Sequence, residues 1–263
     1  MAYNIRTDFL SDQDADRMYE QHPEMGSDPL EYCPTCSTTG TYRWRGEDRK
    51  CECSYALQLQ KHYFNSGVGL DYQILDWDDF VPNNPTKVAA LETVQTWLGN
   101  EQLIRRGMGL VFMGPGGVGK TLLSNLIIKE LIKRGHKCYA SSVSAMKEAL
   151  TAGWNSDEEK RWFDRRFRYS QVLLLDDLGK EHKNTLSQST FDGVLRTRVQ
   201  GGRPTILTTN LSLDAMSSGY GSSVLSLLRR QSLVLEMEGE DFAGQHAQRL
   251  LAESLSGETR PIV

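Results

Sequence analysis

Gly114-Pro-Gly-Gly-Val-Gly-Lys-Thr121 decides the fold of this chain. It matches the phosphate-binding pattern G-x-x-x-x-G-K-[ST] at every required position. The apolar run Gly109-Leu-Val-Phe-Met113 leads in, and a helical pattern from Leu122 to Arg134 leads out. Strand, loop and helix in that order turn a pattern into a site. The glycines let backbone N–H groups turn inward around phosphate oxygens that side chains would block. The helix that follows points its positive end at the same anion. The expected nucleotide contacts are Gly114, Pro115, Gly116, Gly117, Val118, Gly119, Lys120, Thr121 and Leu122. Lys120 is expected on the β- and γ-phosphates, and the Thr121 hydroxyl on Mg²⁺. A glycine-rich turn without a ligand is the alternative, and it leaves both flanks unexplained.

A phosphate loop needs a carboxylate partner for the metal, and Gln171-Val-Leu-Leu-Leu-Asp-Asp177 offers two. Its apolar core fits a strand buried on both faces of a parallel sheet. Ligands bind at the C-terminal ends of such strands, where both carboxylates stand. Asp176 is expected to orient Mg²⁺ through its water shell. Asp177 is expected to polarise the attacking water as a general base. Glu is common at that position in such ATPases, so Asp predicts slower hydrolysis. A third strand, Pro204-Thr-Ile-Leu-Thr-Thr-Asn210, ends in polar residues. Asn210 is expected to sense the γ-phosphate; a helix start capped by Ser212 is the other reading.

Rival nucleotide classes are testable in the sequence. Asp176-Asp-Leu-Gly179 also fits the D-x-x-G of a GTPase, but no N-K-x-D for guanine follows. No transporter-type signature loop and no Arg-rich kinase lid stand out. ATP is the preferred nucleotide.

Charge is uneven along the chain. Residues 1–80 carry 7 Lys and Arg against 15 Asp and Glu, and the remainder carries 23 against 19. An acidic N-terminal part suits a protein partner better than nucleic acid. No apolar run reaches the length of a membrane span, and no secretory signal is read at the N-terminus. A soluble, cytoplasmic protein without membrane contact is expected.

Four of the five cysteines crowd together as Cys33-Pro-Thr-Cys36 and Cys51-Glu-Cys53. Two thiolate pairs flanking a turn-rich segment suit tetrahedral Zn²⁺ on a β-hairpin. A segment this small needs the metal in place of a core. His62 is a nearby substitute ligand or a solvated helix residue. Cys138 reads as core.

The domain organisation follows. Residues 1–65 form an N-terminal zinc-binding domain, 66–85 a linker, and 86–263 the ATPase domain. From Thr86 the pattern is helical, with Val88, Leu91, Val94, Trp97 and Leu98 on one face. Strands at about 109–114, 137–142, 171–177, 204–210 and 232–237 alternate with helices, which predicts an α/β fold, a five-stranded parallel sheet between helices. The segment 154–168 is rich in arginine and aromatics. It suits single-stranded nucleic acid or, preferably, an amphipathic helix with a solvated arginine face.

These residues together resemble a known family. Cys33-x-x-Cys36, Thr39-Gly40 and Cys51-x-Cys53 are similar to the N-terminal zinc module of bacterial and phage helicase loaders. Leu175-Asp-Asp-Leu-Gly-Lys-Glu181, Pro204-Thr-Ile-Leu-Thr-Thr-Asn-Leu-Ser212 and Gly239-Glu-Asp-Phe242 resemble the DnaC/DnaI/IstB-type AAA+ ATPases. The resemblance covers roughly residues 30–245. It implies an AAA+ core with the Asn210 strand between the phosphate-loop and Asp176 strands. It implies a ring or spiral homo-oligomer with ATP between subunits and an arginine reaching across in trans. Arg229 and Arg230 are the candidates, two residues out of step with the family's Ser-Arg pair; a pair of helix-end surface arginines is the alternative. The family's nucleotide-contacting arginine after G-x-D-aromatic is replaced by Ala243, with Arg249 a substitute on the same helix. Arg198 matches a recurrent family arginine. The implied function is ATP-dependent loading of a hexameric replicative DNA helicase onto single-stranded DNA. An IstB-type transposition helper, and a nucleotide-gated adaptor with little turnover, are the alternatives.

Overall fold

The computed structural model describes residues 41–50, 59, 62–152, 156–179, 185–241, 244, 248 and 255. Two short strands, β1 (Thr41–Trp44) and β2 (Glu47–Lys50), form an antiparallel hairpin. Arg45 and Gly46 at its turn both have positive φ, 53° and 86°, as the two-residue hairpin turn with right-handed strand twist requires. Cys33, Cys36, Cys51 and Cys53 lie outside the described residues.

The expected parallel sheet is present. Its strands are β3 (Gly109–Met113), β4 (Cys138–Ser142), β5 (Val172–Leu178), β6 (Thr205–Thr209) and β7 (Ser232–Glu236). They lie in the order β4-β5-β6-β3-β7, all parallel. The strand leading to Asn210 therefore sits between the phosphate-loop strand and the Asp176 strand. Alternate residues feed two cores. Leu110, Phe112, Val172, Leu174 and Ile206 pack on one side; Val111, Met113, Leu173, Leu175 and Leu207 pack on the other. Burial on both faces is why these strands read as unbroken apolar runs.

The helices are α1 (Leu70–Gln73), α2 (Pro85–Gly99), α3 (Glu101–Arg105), α4 (Lys120–Lys133), α5 (Val143–Ala152), α6 (Asp157–Phe163), α7 (Thr185–Gln200), α8 (Leu213–Tyr220) and α9 (Ser222–Gln231). None of the described helices is long and apolar enough to cross a membrane. Helix α2 starts where Asn84 accepts from the Lys87 N–H at 2.9 Å, with Pro85 in the first turn. Its buried face carries Lys87, Ala90, Val94, Trp97 and Leu98. Val88 was expected there, but it is exposed. The aliphatic stem of Lys87 takes the first core position instead and rotates Val88 outward.

Residues 66–85, expected as a linker, belong to the packed body. Val68 and Phe80 are buried in the same core as α2 and α4, and Leu75 is buried as well. The Ser66 carbonyl accepts from Ala140 N at 2.7 Å, so the chain pairs with the outer edge of β4. Lys129 of α4 is buried and donates to the carbonyls of Tyr72 (2.9 Å), Gln73 (2.8 Å) and Leu75. Burial, then nearby Lys133, brings its ammonium down to about 7. One lysine thus ties off the carbonyls at the end of α1.

The segment from 156 onward caps α6 with Ser156, whose hydroxyl accepts from Glu159 N at 3.1 Å. The helix runs into a wider turn over Asp164–Arg168. Phe163 and Phe167 are buried, and Trp162 and Phe167 both meet Tyr139 edge-to-face. Arg166 lies over Tyr139 and Trp162, 4.9 Å from each ring. Most of these aromatics face the protein, and Arg161 and Arg165 face solvent. That is the amphipathic arrangement preferred from sequence. Cys138 is a buried free thiol, and burial pushes it up.

Candidate functional site

The C-terminal ends of β3, β5 and β6 meet at one edge of the sheet, and the phosphate loop closes that edge. Three of its glycines have left-handed backbone, and at two of them a side chain would collide outright. A Cβ on Gly114 (φ 143°) would lie 1.9 Å from the Met237 carbonyl oxygen. On Gly117 (φ 72°) it would lie 1.7 Å from Asp241 Oδ1, and on Gly119 (φ 101°) 3.2 Å from the Phe80 ring. Gly116 faces open space. Its glycine is not demanded by packing, unlike the other three.

Gly119 precedes α4 and makes no side-chain cap, so the first N–H groups of this helix are directed into the loop. Lys120 is buried, with its Nζ donating to the carbonyls of Gly114 (2.8 Å) and Pro115 (2.6 Å). Val118 is buried behind the loop, Leu122 packs against the core, and Pro115 is exposed.

Asp176 and Asp177 are brought to the same edge by an irregularity in β5. Leu175 pairs with Leu207, but the next pair is Leu178 with Thr209. Two residues of β5 thus stand opposite one residue of β6, Thr208, which is a β-bulge. Asp177 adopts φ 61°, a conformation uncommon outside glycine. The Asp176 Oδ1 accepts from the Thr121 hydroxyl at 3.0 Å and from the Thr208 hydroxyl. Thr208 also accepts from the Asp177 N–H at 2.9 Å, and Thr209 donates to the Leu178 carbonyl at 2.8 Å. A hydroxyl and a half-buried carboxylate side by side form an oxygen-only donor set, the kind Mg²⁺ accepts.

Asn210 follows the end of β6 and is exposed, between the loop and the two carboxylates in strand order. Ser212 caps α8 by accepting from Ala215 N at 3.2 Å, so the helix-start signal is also real and is separate from Asn210. Arg229 and Arg230 are exposed on the last turn of α9, just before β7. Ser232 of β7 pairs with Gly109, the first residue of β3. The two arginines therefore lie a strand's length from their own loop, roughly 16 Å at about 3.3 Å per residue. Ala243 and Arg249 lie outside the described residues.

Three site neighbours escaped the sequence reading: Thr208, Phe80 and Asp241. For Thr208 a signal existed, since two consecutive hydroxyl residues end a strand otherwise apolar and fully buried. Phe80 reaches the loop from a distant part of the chain and leaves no local trace; Asp241 lies in the Gly239-Glu-Asp-Phe242 stretch, but nothing local places it against Gly117.

A five-stranded parallel sheet with the phosphate loop after one strand and the carboxylates two strands away defines an AAA+ P-loop fold. The IstB-like ATP binding protein family matches residues 82–249, and the chain belongs to it. It is 22% identical over 178 residues to the replicative helicase loader DnaC of Escherichia coli K12, covering 66% of this chain and 71% of that protein. It is 30% identical over 145 residues to an ATP-binding protein of insertion sequence IS5376 from Geobacillus stearothermophilus, covering 53% and 57%. The crystal structure of the DnaC helicase loader superposes with a TM-score of 0.60 at 25% identity, covering 65% of this chain and all of that one.

Proposed function

We propose that this chain is an ATPase that loads a hexameric replicative DNA helicase onto single-stranded DNA. The observation that carries the ATPase half is the contact of Thr121 with Asp176, which joins the phosphate loop to the carboxylates. With nucleotide present, Lys120 leaves the loop carbonyls for the β- and γ-phosphates, and the α4 N–H groups receive the anion. Thr121 and Asp176 would hold Mg²⁺, which would supply charge neutralisation for the phosphoryl transfer. Asp177 takes the proton of the attacking water, and Asn210 orients that water against the γ-phosphate. Arg229 or Arg230 serves the site of a neighbouring copy, since neither lies beside its own, and the working form is a ring or spiral. Residues 1–65 carry Zn²⁺ on Cys33, Cys36, Cys51 and Cys53 and bind the helicase in the cytoplasm.

The likeness to DnaC over the whole of that crystallised chain supports the loader assignment. The higher identity to the insertion-sequence protein supports the second reading, a transposition helper. Affinity capture of the tagged full-length chain from its native cells, with ATP, separates them. Near-stoichiometric recovery of a replicative helicase, lost on removal of residues 1–65, is expected. Recovery of a transposase instead would reject the loader. A Lys120→Ala variant is expected to bind the helicase but fail to release it onto DNA. Multiple-turnover phosphate release distinguishes an ATPase from an adaptor that only binds.

A further inference from the structure

We propose that Thr208 is a positioning residue for the metal: its hydroxyl aims the Asp176 carboxylate at Thr121. This rests on the Mg²⁺·ATP reading of the site and adds a residue to it.

The bulge creates the need. Asp176 and Asp177 oppose the single Thr208, so the β5–β6 ladder is interrupted where both carboxylates stand. On its other edge Asp176 stays in register with Ser142 of β4, so the bulge loosens only the side that Thr208 faces. Thr208 is fully buried and uses its hydroxyl both ways. Its proton goes to Asp176 Oδ1, and its oxygen accepts from Asp177 N at 2.9 Å. A hydroxyl has one proton and spare acceptor capacity, so it can bind both at once. Thr121 donates to the same Oδ1 at 3.0 Å and keeps lone pairs for a cation. Asp176 is thus held from behind by Thr208 and in front by Thr121. Thr209 repeats the device one residue on, donating to the Leu178 carbonyl. That bond closes the bulge but touches no carboxylate, which makes Thr208 the residue that couples the backbone irregularity to the metal donor.

The test uses the full-length chain and a fluorescent ATP analogue, with affinity read in chelator and across a magnesium titration. Thr208→Val keeps the shape and removes the hydroxyl. In chelator its nucleotide affinity is expected within about twofold of wild type, which also reports an intact fold. Its half-saturating magnesium is expected to rise about tenfold or more, the effect of losing a hydrogen bond to a charged group. Thr208→Ser is expected to restore the wild-type value, and in an Asp176→Asn background Thr208→Val is expected to add nothing. If Thr208→Val fails the chelator control, Thr208→Ala is read in the same way. Unchanged magnesium dependence in Thr208→Val, beside a normal wild-type response, overturns this assignment alone. So does a Thr208→Ser variant as impaired as Thr208→Val. A wild-type protein whose nucleotide affinity ignores magnesium overturns the metal reading and this assignment with it.

Discussion

The two ends of strands β5 and β6 each hold a buried polar cluster, and the clusters do opposite things. At the N-terminal end sits Arg198, with no exposed surface. Its guanidinium donates to Thr205 Oγ1 at 3.0 Å, Ser170 O at 3.0 Å, Phe167 O at 3.1 Å and Pro204 O at 2.7 Å. These acceptors are neutral, and burial brings the group down to about 9. At the C-terminal end Asp176 and Asp177 are half-buried on a bulge, with hydroxyls from α4 and β6 around them. The first cluster is closed: its donors end on neutral carbonyl and hydroxyl oxygens at the start of the strands, and it holds the sheet to α7. The second is open toward the phosphate loop. A buried charge is not by itself a sign of chemistry; what matters is whether the arrangement leaves a face for a ligand.

That contrast can be broken in four ways. Arg198→Met leaves several buried carbonyls without their donor, at about 1–3 kcal/mol each. Urea unfolding is expected to show a loss of about 3 kcal/mol or more, with ATP affinity unchanged wherever the variant is folded. A loss under about 1 kcal/mol would mean the hub is not structural. Gly117→Ala should act at the other end. Left-handed backbone costs a side chain about 1–2 kcal/mol, and the added methyl meets Asp241. Titration with a fluorescent ATP analogue is expected to show affinity at least about tenfold weaker; a change within twofold would show that the loop adapts. Thr205→Val removes one neutral acceptor from Arg198, for a stability loss of about 1 kcal/mol and no change in magnesium dependence. If magnesium dependence moves, the two clusters are coupled through β6. Gly116→Ala meets no protein atom, so stability is expected within about 0.5 kcal/mol of wild type, and titration with the ATP analogue then reads the contact with nucleotide at this position. A loss of affinity would show that position 116 touches the nucleotide.

Much of the sheet was legible before any coordinates. Each expected strand lies within a residue or so of its observed position, because burial on both faces forces an unbroken apolar run. The phosphate loop was legible because glycine and lysine types at fixed spacing are needed for it. Two details went astray for tertiary reasons. Val88 lost its core position to the stem of Lys87, and residues 66–85 proved to be packed body. What holds that stretch is Lys129, more than fifty residues away, donating to carbonyls that any sequence would have.

The amino-acid sequence alone determined the strand order of chemistry along this chain: phosphate loop, then paired carboxylates, then a polar strand end. Local patterning suffices for that, since each element is specified by its own residue types and periodicity. Only the tertiary structure decided how those pieces meet. It placed one threonine opposite two aspartates and laid Phe80 and Asp241 against the loop, while the place of β6 between β3 and β5 is the one the family resemblance implies. Register, bulges and contacts between distant segments follow from how whole faces pack, and no single stretch of sequence carries that information.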